Sequence, residues 1–177
     1  MLTNTEILNA INSGKIKISP FEMKQLNPNS YNLRLGTDLA FYKPERVLDP
    51  KELNAPDYQV MITEPGFVLE PGILYLASTL EYTETDEYIP CISGRSSIAR
   101  LGIEIHRTAG FGDIGFKGTW TLEITVVNPV RVYPGMEICQ IYYEKPDGFV
   151  DPAKLYNGKY SGQRATQISL MYKDFEK

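Results

Sequence analysis

Two cysteines, one histidine and one tryptophan in 177 residues leave little material for several familiar kinds of site. Zinc-activated hydrolytic centres draw on His and Cys at set spacings, with paired cysteines arranged as Pro-Cys-x-x-Cys. Cys91 and Cys139 lie far apart, neither has a close cysteine partner, and the lone His106 cannot make a metal site by itself, so no zinc is expected. Both cysteines sit in apolar, strand-like stretches, where a small buried thiol is the ordinary explanation and no disulfide is implied. No apolar run approaches the ~18 residues that a membrane helix requires, and the first thirty residues lack the order of a signal peptide, which points to the cytoplasm. Positive charge is also scarce: 18 Lys and Arg stand against 22 Asp and Glu, for a net charge of -4. A broad nucleic-acid surface needs clustered basic residues, so none is expected, and an anionic ligand must be held by a local pocket.

What is present is an ordinary globular composition in a chain of single-domain length, expected to fold as one domain over 1–177. Thr3 followed by Glu6 makes a capping-box signature, Ile7, Leu8 and Ile11 share a helical face, and Gly14 can end that helix. Beyond it, apolar residues alternate with polar ones: Tyr31, Leu33 and Leu35; Tyr58, Val60 and Ile62; Trp120, Leu122, Ile124 and Val126. A period of two means half-buried strands. Turn chemistry such as Asn27-Pro28-Asn29, Glu64-Pro65-Gly66 and Asn128-Pro129 separates them at short intervals, which predicts a mainly β sandwich, jelly roll or barrel. Leu69-Glu70-Pro71-Gly72 and Val132-Tyr133-Pro134-Gly135 each set Pro-Gly between apolar strands, a hint of two related halves. Residues 43–57 read as a charged, Pro-rich surface excursion. From Pro146 the chain turns polar, and roughly 146–177 is expected to be a mobile tail or lid.

Three places carry chemistry. Gly94-Arg95-Ser96-Ser97-Ile98-Ala99-Arg100 gathers two guanidinium groups and two hydroxyls beside a glycine, a combination suited to phosphate, although an isolated Arg pair is more often a surface salt-bridging element. The stretch 106–118 holds four glycines within nine residues, so its backbone can approach a ligand closely; alone it equally describes a bulged hairpin. His106 at its start reads as a hydrogen-bonded loop residue. On the strand expected over 119–127, Thr121, Glu123 and Thr125 share the face opposite the apolar one. Glu123 there is either a solvated carboxylate or, beside an Arg and Ser cluster, a proton carrier.

Taken in order, Gly94 to Gly102, then Thr108-Ala109-Gly110-Phe111-Gly112-Asp113, then Leu122-Glu123, resemble the dCTP deaminase branch of the trimeric dUTPase superfamily. Gln25 to Gly36 resembles the family's N-terminal turn and strand, and Tyr156, Lys159, Tyr160 and Gln163 fall where its phosphate-covering tail lies. The resemblance implies a distorted jelly-roll β-barrel of the dUTPase-like, β-clip kind, assembled as a homotrimer with active sites between subunits. It implies Glu123 as general base and proton shuttle, with Ser96 and Arg100 holding the attacking water and steadying the reacting centre. Arg95, Ser97, Tyr156, Lys159 and Gln163 match triphosphate contacts, Asp113 and Phe116 deoxyribose contacts, and the backbone near Thr108 reads the pyrimidine. Magnesium would ride on the triphosphate of dCTP or dUTP, and dTTP is expected as an inhibitor. Gly110 after Ala109, together with Gln140, resembles the members that continue from dUTP to dUMP and pyrophosphate, whereas Gly112 and Ile114 depart from the usual pattern around the Asp. Rival readings are a deaminase stopping at dUTP, a plain dUTPase and a non-catalytic nucleotide sensor; retention of Ser96, Arg100 and Glu123 together argues against the last.

Overall fold

Thr3 caps helix α1 (Asn4–Asn12) by accepting the Glu6 amide on its side chain at 3.4 Å, which turns Ile7 and Ala10 into the core and leaves Leu8 and Ile11 flanking. In this computed structural model, which describes residues 1–176, the rest of the chain is strand and loop with a few short helical turns, and Lys177, the last residue of the expected lid, lies outside the described residues. The strands are β1 (Ile16–Ser19), β2 (Tyr31–Phe41), β3 (Tyr58–Met61), β4 (Phe67–Leu69), β5 (Tyr75–Thr85) and β6 (Ile89–Gly94). One turn of helix, α2 (Ser96–Ala99), intervenes before β7 (Ile103–Glu104), β8 (Lys117–Val126), β9 (Val130–Val132) and β10 (Glu137–Glu144). Eight strands form one antiparallel sheet in the order β6-β10-β2-β5-β8-β7, with β1 on β5 and β3 on β2. This is the expected distorted barrel of jelly-roll type. Among the described residues no helix is long and apolar enough to cross a membrane.

The remaining two strands explain the paired Pro-Gly segments. β4 and β9, each lying just before one of those turns, pair with each other, Phe67 opposite Val132 and Leu69 opposite Val130. The apolar residues that the turns punctuate are thus cross-strand partners. The core they help close includes Tyr31, Leu33, Leu35, Leu122, Ile124, Ile138, Ile141 and Tyr143, all fully buried, each such side chain contributing about 1.5–3 kcal/mol. Cys91 and Cys139 are free and buried, and burial pushes both thiols up from their ordinary range.

Alternation holds on β8 and fails on two other strands. On β8 Trp120, Leu122, Ile124 and Val126 are buried while Thr121, Glu123 and Thr125 are half-buried. β2 was expected to be half-buried, but Asn32 is buried as well as Tyr31 and Leu33, because a second, polar core lies on its other face. On β5 Leu80 is exposed and Glu81 fully buried. The registers of β5 against β8 and against β2 both shift there, between Ser78 and Tyr82 and between Leu35 and Leu39, and such bulges bend a strand and re-aim its side chains. Glu81 is met by Arg34, whose Nε donates to Oε1 at 2.6 Å and whose backbone amide donates to Oε2 at 2.7 Å, and by Gln25 Nε2 at 3.0 Å.

The segment after β10 runs back along β8. Thr119 donates its amide to the Gln163 carbonyl at 3.0 Å, Gln163 Nε2 donates to the Thr119 carbonyl at 2.6 Å, and the Gln167 amide donates to Thr121 Oγ1 at 3.1 Å. The Arg164 guanidinium lies 3.9 Å from the Tyr82 ring centre. Gly115 and Gly118 make this approach possible. Gly115 has φ +96°, and a Cβ there would stand 2.7 Å from the Tyr156 amide nitrogen; at Gly118 it would stand 3.0 Å from the Gln163 carbonyl oxygen.

Two outcomes follow from these contacts. Glu81→Ala leaves the Arg34 guanidinium without its buried partner and is expected to cost about 3–5 kcal/mol in urea unfolding, whereas Arg34→Met with Glu81→Leu recovers most of that loss. Gly115→Ala meets both a left-handed backbone and the tail, and is expected to cost about 1–3 kcal/mol and to speed tryptic cleavage at Lys159 and Arg164.

Candidate active site

Glu123 sits in the middle of β8 with Leu76 of β5 opposite it. Its amide donates to the Ile105 carbonyl at 3.1 Å, and its Oε2 accepts the Arg107 amide at 3.0 Å. The hairpin between β7 and β8 is therefore clamped over the carboxylate at both of that residue's ends. Arg107 closes the clamp with its side chain: Nη1 donates to Glu104 Oε2 at 3.0 Å and to Thr125 Oγ1 at 3.3 Å.

Beside Glu123 opens a cavity of about 720 Å³. Its floor is the half-buried face of β8 with Trp120, Thr121 and Glu123, and Phe116, whose ring centre lies 4.8 Å from that of Trp120 and 6.2 Å from that of Tyr156. Thr108 and Asp113 of the hairpin make one wall, and Tyr156 and Gln163 of the tail another. Residues 43–57 make the third, a role their sequence did not reveal. Tyr42, Leu48, Pro50 and Asn54 all face the cavity. The excursion is held in shape from within: Tyr42 OH donates to the Asn54 carbonyl at 3.0 Å, Asn54 Nδ2 donates to the Asp49 carbonyl at 2.7 Å, and Arg46 Nη1 donates to the Ala55 carbonyl at 2.6 Å. The Lys43 amide and the Arg46 guanidinium hold the Asp57 carboxyl below the usual carboxylate range.

Six of the expected site residues thus converge: Glu123, Thr108, Asp113, Phe116, Tyr156 and Gln163. The other six do not line the cavity. Ser96, Ser97 and Arg100 are exposed on and beside α2, which the buried Ile98 anchors. Arg95, at the N-cap of α2, is paired with Glu137, its Nη2 lying 2.9 Å from Oε2. Gln140 on β10 supports that same turn, donating to the Gly94 carbonyl at 3.0 Å and accepting from Ser30 Oγ at 2.8 Å. Lys159 is paired with Asp174, whose carboxylate raises its affinity for the proton above the usual lysine range.

The glycine-rich hairpin also differs from its expected reading in emphasis. Its glycines at 115 and 118 answer to the tail, and Gly110 has a packing reason of its own, since a Cβ there would stand 2.6 Å from His106 Nε2. His106 was expected to be hydrogen-bonded; its Nδ1 is instead buried without a partner within the described residues, and its ring lies against Gly110. Among those residues no three His, Cys, Asp or Glu side chains gather to hold a metal ion. Besides the excursion, Thr121 and Arg107 are site residues that sequence reasoning passed over. Thr121 was within reach of it, because it shares the face of Glu123 at a spacing of two.

The chain is similar to known proteins along most of its length. The family model for dCTP deaminase-like proteins matches residues 1–146. A dCTP deaminase of the dUMP-forming kind from Clostridium acetobutylicum is 58% identical over 160 residues, 90% of each chain. Another of that name from Leptospira biflexa is 54% identical over 177 residues, covering 100% of this chain and 99% of its own. The crystal structure of 2'-deoxycytidine 5'-triphosphate deaminase from Agrobacterium tumefaciens superposes with a TM-score of 0.66 at 22% identity, over 82% of this chain and 48% of that one, and so speaks to the fold. With the family model spanning most of the barrel and two relatives above half identity along nearly the whole chain, this protein belongs to the dCTP deaminase-like family.

Proposed function

We propose that this chain hydrolyses dCTP to dUMP, ammonia and pyrophosphate in two steps at one site. The observation that carries the reading is the Glu123 carboxylate, fixed by the Arg107 amide at the floor of a cavity of nucleotide size. The relatives named for the dUMP-forming reaction support the endpoint. In the first step Glu123 takes a proton from water, hydroxide adds to C4 of cytosine, and protons returned to the ring and the amine release ammonia and leave a C4 carbonyl. In the second, water cleaves the bond between the α and β phosphates. Arg100 and the hairpin amides steady the charge that develops.

The group that binds the phosphates must come from elsewhere. Arg107 is the one cationic side chain on the cavity wall among the described residues, and it is already engaged with Glu104. Ser96, Arg95 and Arg100 stand on the outside of the chain, beside the exposed Leu101 and Val127, which the Val127 amide ties together through the Gly102 carbonyl at 2.9 Å. Apolar exposure next to unused polar chemistry supports a subunit contact. In a homotrimer each site takes Glu123 from one chain and the α2 group from its neighbour. Magnesium fits as a passenger of the nucleotide, because among the described residues Asp113 and Glu123 are the only acidic side chains on the wall and fall short of an octahedral oxygen set. A thymine triphosphate, with the same phosphates and no amine to lose, would occupy the site without turnover, so dTTP should inhibit.

Incubation with dCTP and magnesium, followed by chromatography of dUTP, dUMP and pyrophosphate, is expected to give dUMP and pyrophosphate; dUTP alone would move the endpoint back one step. Glu123→Gln should lower ammonia release about a hundred- to ten-thousand-fold with nucleotide binding retained. Co-expression of Glu123→Gln with Ser96→Ala chains should restore activity at about a quarter of the sites by random assortment in a closed oligomer; sites built within one chain would regain none.

A further inference from the structure

Arg95 is held before any ligand arrives, and the holder is itself held. Its Nη1 donates to the Glu137 carbonyl at 2.9 Å, and its Nη2 lies 2.9 Å from Glu137 Oε2. An ordinary surface pair of this kind contributes little, because both side chains are free to wander. Here the carboxylate is tethered, since the same Oε2 accepts Asn32 Nδ2 at 2.9 Å, and Asn32 is buried. Asn32 in turn accepts Asn27 Nδ2 on Oδ1 at 2.7 Å and Gln25 Nε2 on its carbonyl at 2.7 Å, and that Gln25 nitrogen also reaches the buried Glu81. A continuous polar strut therefore runs from the Glu81 core to the guanidinium of Arg95.

We propose that Glu137 is a positioning residue, which fixes the Arg95 guanidinium at the α2 turn so that its remaining donors meet a triphosphate with their orientation already set. The inference rests on Arg95 as a triphosphate contact. Arginine presents a rigid fork but sits on a flexible stem, and ordering such a stem at the moment of binding weakens affinity. The strut removes that cost in advance. It uses only one oxygen of the carboxylate, so an amide oxygen at the same place serves the geometry equally well.

The test compares Glu137→Ala and Glu137→Gln with the wild type, in KM and kcat for dCTP and in the calorimetric affinity for inorganic tripolyphosphate. Alanine is expected to raise KM and weaken tripolyphosphate binding roughly three- to tenfold with kcat little changed, and glutamine to stay within about twofold of wild type. Should the alanine protein melt far below the wild type, Glu137→Met, which fills the space without an acceptor, takes its place. Tighter binding in the alanine variant would make Glu137 a competitor of phosphate, and equal weakening by glutamine would make its charge the active property; either overturns the proposal, as does unchanged affinity. A wild type that binds tripolyphosphate but releases no ammonia would sink the deaminase reading and leave the positioning role standing on its binding data.

Discussion

The Glu81 carboxylate is out of reach of water and is met by the side chain and the backbone amide of Arg34 and by Gln25. A buried charge without such partners costs several kcal/mol, so these donors are a condition of the fold and not an addition to it. The period of two along β5 itself sends Glu81 inward, in line with Ala77, Thr79 and Thr83, and leaves Leu80 outside, so the strand carries a charge into its core that these donors must meet. Beside Glu81 the register of β5 slips against both β2 and β8, so the barrel is irregular around this polar knot. β10 opens with Glu137, and its own register against β2 shifts between Glu137 and Cys139. A further irregularity of the sheet thus lies where it reaches the α2 turn.

β8 plays the complementary part. One face belongs to the apolar core and the other carries Thr121 and Glu123, so a single strand joins fold stability to site geometry. The tail uses the same strand as its template, through Thr119 and Thr121, and it can do so because Gly115 and Gly118 present no side chain to it. Anything that shifts β8 moves the carboxylate, the Phe116 and Trp120 floor and the tail together. The hairpin adds a restraint from the other side, since Arg107 touches Glu123 with its amide and Thr125 with its guanidinium.

Much of this was legible in the residues. The period of two on β8 placed Glu123 on the polar face, the Thr3 cap marked the first helix, and Pro-Gly marked two strands that turn out to be partners. What escaped shares one cause: it depends on contacts distant in sequence. Leu80 and Glu81 invert the usual placing of apolar inside and charged outside, and the partners that make this possible, Arg34 and Gln25, lie far away in the chain. Residues 43–57 carry the composition of a surface loop, and only their return across the barrel makes Tyr42 and Asn54 part of a wall. Glu137 follows a Pro-Gly turn like any strand-opening polar residue, and nothing local pairs it with Arg95 more than forty positions earlier. The α2 group was read as suited to phosphate, but no sequence pattern could show that it stands apart from Glu123 within one chain.

That separation has a consequence for the order of events at the site. A nucleoside triphosphate is strongly anionic, and setting it beside Glu123 and Asp113 is unfavourable unless cations accompany it. Two sources are at hand, and they differ in kind. Arg95 and Arg100 stand on the body of the barrel, Arg95 already oriented by Glu137, and from a neighbouring chain they would be in place as soon as subunits assemble. Lys159 belongs to the tail and is engaged by Asp174, so it can serve phosphate only by exchanging one anion for another. Under the proposed function the first source would need no rearrangement when the nucleotide arrives and would govern capture, whereas the second would require a swap and would govern retention. For a chain with a net charge of -4, binding so anionic a substrate would depend on cations placed at fixed points and not spread over a face.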